Sequence, residues 1–141
     1  MPYRKAAIRP LRPDEEPVLF GLARMSLGGQ PGWSDERTLG VLEGDMVFVA
    51  ELDGAPAGYV AVEEEPSSLR IDELFVAPAH EDESLEWQLL EYAEGYAIAC
   101  GSDRLEAVVE GDETTAVALY RRYGFAPADR GMFELTLPQP Q

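Results

Sequence analysis

Four consecutive side chains, His80, Glu81, Asp82 and Glu83, set one imidazole nitrogen beside three carboxylates, the donors that a divalent cation takes. Consecutive residues rarely converge on one ion, so a solvated charge run is the plainer reading of HEDES, and no metal is expected. His80 is the single histidine of the chain, which excludes paired-histidine zinc and leaves no Ser-His-Asp triad to assemble. There is no Gly-x-Gly-x-x-Gly and no P-loop. Cys100 is the single cysteine, so it forms no internal disulfide and shares no metal; a small buried residue near a helix end is its expected role. More useful chemically are Asp72 and Glu73, adjacent carboxylates inside the apolar run LRIDELFV. In a strand, alternation sends the two to opposite faces, so only one can face a cleft.

The elements that must position these groups follow from periodicity and punctuation. Residues 4–12 read as a short strand ending near Pro10, and Pro13-Asp14-Glu15-Glu16 opens a helix that runs to about Met25. SLGGQPGW (26–33) is a loop, and Ser34-Asp35-Glu36 caps a brief second helix ending near Gly44. MVFVAEL (46–52) and GYVAVEE (58–64), joined through Asp53-Gly54-Ala55-Pro56, predict a β-hairpin, and 69–76 a third antiparallel strand. Leu85, Leu89, Tyr92, Tyr96 and Cys100 recur at helical steps, predicting a helix over 83–100 that Gly101 stops. RLEAVVE (104–110) is a strand, 114–123 a helix stopped by Gly124, and FELTL (133–137) a last strand.

The order β-α-α-β-β-β-α-β-α-β resembles the GNAT superfamily of N-acetyltransferases, and three segments carry the likeness over nearly the whole chain. The hairpin VFVAELDGAPAGYVAV followed by IDELFVAP looks like the family's central strands, with Val76 and Pro78 as the Val-x-Pro that closes the fourth. LLEYAEGYAIACGSDRLEAVVE is similar to its long helix, glycine stop and following strand, with Leu89 and Leu90 as the leucine pair. ALYRRYGF matches its C-terminal signature through Leu119, Tyr120, Gly124 and Phe125. The resemblance implies one domain over residues 1–141 of the α/β (α+β) class. Its central sheet is mixed and mostly antiparallel, splayed between the fourth and fifth strands, with helices on both faces.

It further implies transfer of an acetyl group from acetyl-CoA to a primary amine of a small molecule or peptide. The amine must lose a proton, attack the thioester carbonyl and release a thiolate that takes a proton up, so one base and one acid suffice. By family analogy Glu73 is the candidate base; a strand carboxylate in solvent or paired with Arg70 is the other reading. Only one of Asp72 and Glu73 faces the cleft unless the strand carries a bulge, which the family often has there. Tyr120 matches the position that protonates the departing sulfur; a tyrosine packed under the strands is the alternative.

Leu74, Phe75 and Val76 fall where the family's fourth strand runs along the cofactor. The family holds the CoA pyrophosphate on Arg/Gln-x-x-Gly-x-Gly/Ala at the entry to the long helix. Those six positions fall here on Glu81, Asp82, Glu83, Ser84, Leu85 and Glu86, without any of the three defining residues. Side chains replace hydrogens where phosphate approaches, and acids stand where anions should sit. One carboxylate about 6 Å from one phosphate charge costs roughly 0.7 kcal/mol in water and about 3 at an effective dielectric of about 20. The same acids also suit a helix N-terminus, with Asp82 as its cap. Glu113 likewise stands where the family commonly has an asparagine facing the cofactor. The resemblance thus favours an N-acetyltransferase, nominally an enzyme. The loop favours a GNAT-fold binding or regulatory module that has lost acetyl-CoA; a donor lacking the CoA diphosphate lies between the two.

The chain has 141 residues, 27 acids and 11 bases, a net charge of −16 and one lysine, Lys5. Phosphate neutralisation needs a basic patch, so nucleic acid is an unsuitable partner; cationic amines or a basic protein would be attracted, unless the acidity simply serves solubility. No apolar run is long enough to span a membrane, MPYRKAAIRP breaks before a signal core develops, and the expectation is a cytoplasmic protein. The acceptor amine has no distinctive motif: Trp33 in SLGGQPGW either lines its cleft or anchors the loop. Oligomeric state is left open, with a homodimer among the arrangements the resemblance allows.

Overall fold

The computed structural model describes residues 5–27, 35–44, 46–77, 84–109, 114–128 and 132–138. In chain order these form β1 (Ala7–Pro10), a 3-10 turn (Pro13–Glu15), α1 (Glu16–Leu27), α2 (Asp35–Gly44), β2 (Met46–Leu52), β3 (Ala55–Glu64) and β4 (Ser68–Val76). They continue with α3 (Leu85–Ala99), β5 (Arg104–Val108), α4 (Thr114–Tyr123), β6 (Ala126–Pro127) and β7 (Met132–Thr136).

The seven strands make one sheet in the order β1-β2-β3-β4-β5-β7-β6 among the described residues. Neighbouring strands are antiparallel except β4 and β5, which run parallel. Helices cover both faces. From α1, Leu19 and Leu22 pack with Val47, Tyr59, Ala61 and Ala77. From α3 and α4, Leu85, Leu89, Leu90, Ala93 and Leu119 pack with Phe48, Val60, Val62, Ile71 and Leu105. Tyr59 and Val60 are successive residues of β3, so pleat alternation places the two clusters on opposite faces. Each leucine buried this way contributes about 1.5–3 kcal/mol.

Several boundaries differ from the sequence expectation. The hairpin turn is only two residues long, Asp53 and Gly54, with φ of 53° and 79°, the left-handed pair that matches strand twist. β3 therefore starts at Ala55, and its register slips at Ala57, letting Pro56 sit in the strand without donating to the ladder. Helix α1 is entered through a 3-10 turn. β5 is two residues shorter than expected. The two-residue β6 was not anticipated; Ala126 and Pro127 carry no strand pattern and are held only by pairing with β7.

The buried stripe of α3 is also offset. Leu85, Gln88, Leu89, Leu90, Ala93 and Ala97 are buried, whereas Tyr92 and Tyr96 sit half-buried on its flank with their rings 4.8 and 5.2 Å from Phe48. Ala93 and Ala97 lie on the inner face. Gln88 lies inside because its side-chain oxygen accepts the Ala6 backbone N–H at 2.8 Å, tying the chain before β1 to α3.

At the sheet edge, Arg9 donates to both Glu15 oxygens, at 2.6 and 2.7 Å, and to Glu51, clamping the 3-10 turn onto β1 and β2. The guanidinium, with the Arg12 backbone N–H, holds the Glu15 carboxyl well below its ordinary value, at about 2. A depressed carboxyl stabilises the fold fully above its unfolded value near 4.5, and that contribution is lost as pH falls toward 2. Thermal melts of the wild type and Glu15→Gln should therefore show their largest gap in Tm above pH 4.5. The gap should narrow steadily toward pH 2.

Candidate active site

The pairing of β3 with β4 passes from Val62↔Ile71 to Ala61↔Glu73, so Asp72 is an extra residue, a β-bulge. The bulge resolves the choice between the two carboxylates. Without it, Asp72 would oppose Ala61 and Glu73 would turn toward α3; with it, Glu73 opposes Ala61 and lies on the α1 face. Glu73 is 4% exposed, and Tyr59, 0% exposed, donates its phenol O–H to Glu73 Oε1 at 3.1 Å. Asp72 accepts from Arg70 Nε at 2.6 Å, and Arg70 also bonds Glu63. The pairing with Arg70 that the sequence allowed for Glu73 thus belongs to Asp72, two residues along the strand from the guanidinium.

Glu73 stands where the sheet opens. The parallel ladder between β4 and β5 runs from Ser68↔Arg104 to Ile71↔Ala107 and ends there. β4 continues along β3 to Val76, and β5 continues along β7 to Val108. Beyond Ile71 the two strands no longer pair with each other and each keeps only its other neighbour, which gives the splay expected between the fourth and fifth strands. Of the strand-end residues, Leu74 is half-buried against the α3 cluster, Phe75 is half-buried with its ring 5.3 Å from Tyr59, and Val76 is buried.

Gly58 holds this strand end close. A Cβ there would lie 2.7 Å from the Phe75 carbonyl oxygen and 3.2 Å from Val76 Cγ2. Because the first contact is backbone, Gly58→Ala must displace β4, and we expect a loss of about 1–3 kcal/mol, read from the urea midpoint.

Helix α3 begins at Leu85, and the residue before it is Ser84, not Asp82. Ser84 has φ 60° and ψ 22°, a left-handed conformation, and its side chain makes no capping bond. This is the backbone that glycine adopts without strain, at the position where the resemblance places the family's first loop glycine. The Leu85 side chain is fully buried in the α3 cluster, and Glu86 is half-buried in the first helical turn. His80, Glu81, Asp82, Glu83 and Glu113, like Trp33 and Pro78, lie outside the described residues.

Tyr120 is 4% exposed and packs with Phe125 and Phe133, ring centroids 5.2 and 6.4 Å away, on the face of the sheet opposite Glu73. It is packed under the strands, as the alternative reading had it. The turn that follows uses Gly124 at φ 124°, with Phe125 N–H returning to the Tyr120 carbonyl at 2.9 Å. Tyr123, the other tyrosine of ALYRRYGF, donates to Glu94 at 2.5 Å, and burial with that bond raises its proton affinity above the ordinary phenol value. Its proton is committed to Glu94.

Cys100 is exposed, contrary to expectation, because it caps α3 beyond the buried stripe; its Sγ lies 3.6 Å from Glu64 Oε1. Partial burial and the Glu64 charge hold its thiol above its ordinary value, so it is a poor thiolate. A groove of about 500 Å³ opens elsewhere, between Pro10–Pro13 and Gly44, Met46 and Val47; Glu73, Tyr59 and Tyr120 do not line it. No group of three or more metal-ligating side chains converges among the described residues.

Tyr59 is the site residue that sequence reasoning missed. Counting back from the turn pairs Tyr59 with Leu74 and places Glu73 on the other face; the bulge at Asp72 shifts the pairing to Tyr59↔Phe75 and brings Glu73 beside the phenol, so the sequence carried no signal for this contact.

The family model described as Acetyltransferase (GNAT) family matches residues 8–125. The chain belongs to the GNAT acetyltransferase family. Solved structures agree in fold. A GNAT family acetyltransferase from Elizabethkingia anophelis with acetyl-CoA bound has a TM-score of 0.81 at 17% identity, covering 94% of this chain and 98% of that one. The PaiA N-acetyltransferase from Thermoplasma acidophilum, in complex with coenzyme A, gives 0.79 at 16% identity, covering 94% and 99%. A GNAT family acetyltransferase from Brucella melitensis in complex with acetyl-CoA gives 0.73 at 17%, covering 99% and 93%. Across this GNAT chain, no described helix is long and apolar enough to cross a membrane.

Proposed function

We propose that this GNAT protein transfers an acetyl group from acetyl-CoA to a primary amine of a small molecule or peptide, with Glu73 as general base and Tyr120 as general acid. The observation that carries this reading is the buried Glu73 carboxylate, turned by the Asp72 bulge to the α1 face beside the parting of β4 and β5. Two features of the chain fit acetyl-CoA. The parted strands leave the Leu74–Val76 edge without β5 as a neighbour, the kind of edge an extended amide chain can follow. The N-terminus of the 15-residue α3, preceded by left-handed Ser84, presents the positive end of a helix dipole to an anion.

When bound, acetyl-CoA supplies an acetyl group activated as a thioester. Glu73 takes a proton from the ammonium, directly or through one water, so that the neutral amine nitrogen can bond to the acyl carbon. The Tyr120 phenol gives its proton to the thiolate as the C–S bond breaks, and the second proton of the attacking nitrogen passes through solvent to the phenolate, leaving a neutral amide and a neutral thiol. Tyr120→Phe removes only the hydroxyl from a packed ring and should lower kcat about 10- to 100-fold with the fold retained, measured by thiol release and circular dichroism.

One observation favours the non-catalytic reading: Glu86 is half-buried at the first turn of α3, where the chain's own anion occupies the dipole. Calorimetric titration with acetyl-CoA, and separately with CoA, at low and physiological salt separates the two. Micromolar binding supports the transferase. No heat and no thermal stabilisation at millimolar ligand would assign the protein to a binding module, its acidic surface then directed at a basic partner.

A further inference from the structure

We infer that Tyr59 is a positioning residue for the acetyl transfer, holding the Glu73 carboxylate in the orientation in which it takes the proton. The inference rests on the reading of Glu73 as the base and adds a second residue to it. A buried phenol must place its O–H on an acceptor, and Tyr59, with no exposed surface, places it on Glu73 Oε1 at 3.1 Å. The ring has no freedom to swing away. Leu19 and Leu22 of α1, Val47 of β2 and Ala61 of β3 share its cluster, and Phe75 meets it edge-on at 5.3 Å with an interplanar angle of 78°. Ala61, two residues along the same strand, is the small neighbour in that cluster, and Gly58 holds β4 close to β3.

The bulge at Asp72 turns Glu73 onto the face that Tyr59 occupies, and without it the two side chains would lie on opposite sides of the sheet. Arg70, three residues back along β4, is engaged by Asp72, Glu63 and Glu65. A carboxylate in so enclosed a place is a liability to the fold unless it is hydrogen-bonded. A hydrogen bond from a neutral phenol orients it without supplying a counter-charge, which leaves it able to accept a proton.

The test uses Tyr59→Phe, which keeps the ring and its packing, with Glu73→Gln as the reference. Carbon-13 carboxyl NMR of the full chain at fixed pH identifies the Glu73 resonance by its loss in Glu73→Gln. It should move in Tyr59→Phe. Turnover is read with acetyl-CoA and a panel of alkylamines, polyamines and lysine-terminated peptides. Tyr59→Phe should lower kcat per folded enzyme about tenfold or more while KM for acetyl-CoA stays within about twofold, with the folded fraction at the assay temperature fixed by circular dichroism so that lost stability is not counted as lost turnover. An unmoved resonance, or an unchanged kcat in a variant whose Glu73→Gln counterpart is inactive, overturns the role of Tyr59 and leaves Glu73 as the base. Full activity of Glu73→Gln, or no turnover with any amine, overturns the reading of the base and the positioning role with it, even where the resonance moves.

Discussion

Glu73→Gln should lower kcat by about 100- to 10,000-fold while leaving acetyl-CoA affinity within about threefold. The substitution is nearly isosteric, and its amide oxygen can still accept the Tyr59 hydroxyl, so packing and the Asp72 bulge should survive. What is lost is the ability to take a proton. Because the amine must be neutral at the moment of attack, the variant's residual rate should rise with pH as bulk solvent does the deprotonation. Steady-state thiol release between pH 6 and 9, with stability checked by thermal melting, measures both. Activity within about twofold of the wild type would remove Glu73 from the chemistry.

The second large effect is expected at the entry to α3. Changing Glu81→Arg, Asp82→Gly, Ser84→Gly and Glu86→Gly together should raise CoA affinity about a hundredfold, or roughly 2.7 kcal/mol. Most of that gain should be electrostatic, since three carboxylates leave the neighbourhood of the pyrophosphate and one guanidinium arrives. The contribution of Ser84 is separable. Its backbone already holds the left-handed conformation, so Ser84→Gly alone relieves about 1 kcal/mol of strain and adds room for phosphate without moving charge. The gain of the fourfold variant should therefore shrink as salt is raised, and that of Ser84→Gly should not. Calorimetry at two ionic strengths reads both, and an unchanged affinity would overturn the account of the acidic loop.

Much of the fold was legible in the chain. Asp53-Gly54 between two apolar runs specifies a hairpin because Asp-Gly is one of the few dipeptides that tolerate two successive positive φ angles. Gly101 and Gly124 end their helices for the same local reason, at φ of 79° and 124°. The signature ALYRRYGF and the element order were enough for the family, because they fix which segments must be helix and strand.

The site was legible only in part. A single strand carries no information about its own register: LRIDELFV reads the same with or without a bulge at Asp72. Alternation counted along it gives one carboxylate per face and cannot say which. Pairing with β3 decides that Glu73 shares a face with Tyr59 and that Asp72 takes Arg70. For Cys100 and the tyrosines of α3, periodicity predicted an inner face. Packing against the sheet buries the stripe through Ala93 and Ala97 instead, leaving Cys100 exposed at the end of the helix. Local chemistry in the sequence by itself determined the elements, their stops and the family. Only the tertiary structure decided which carboxylate is enclosed and which phenol holds it, because both depend on contacts between residues far apart in the chain.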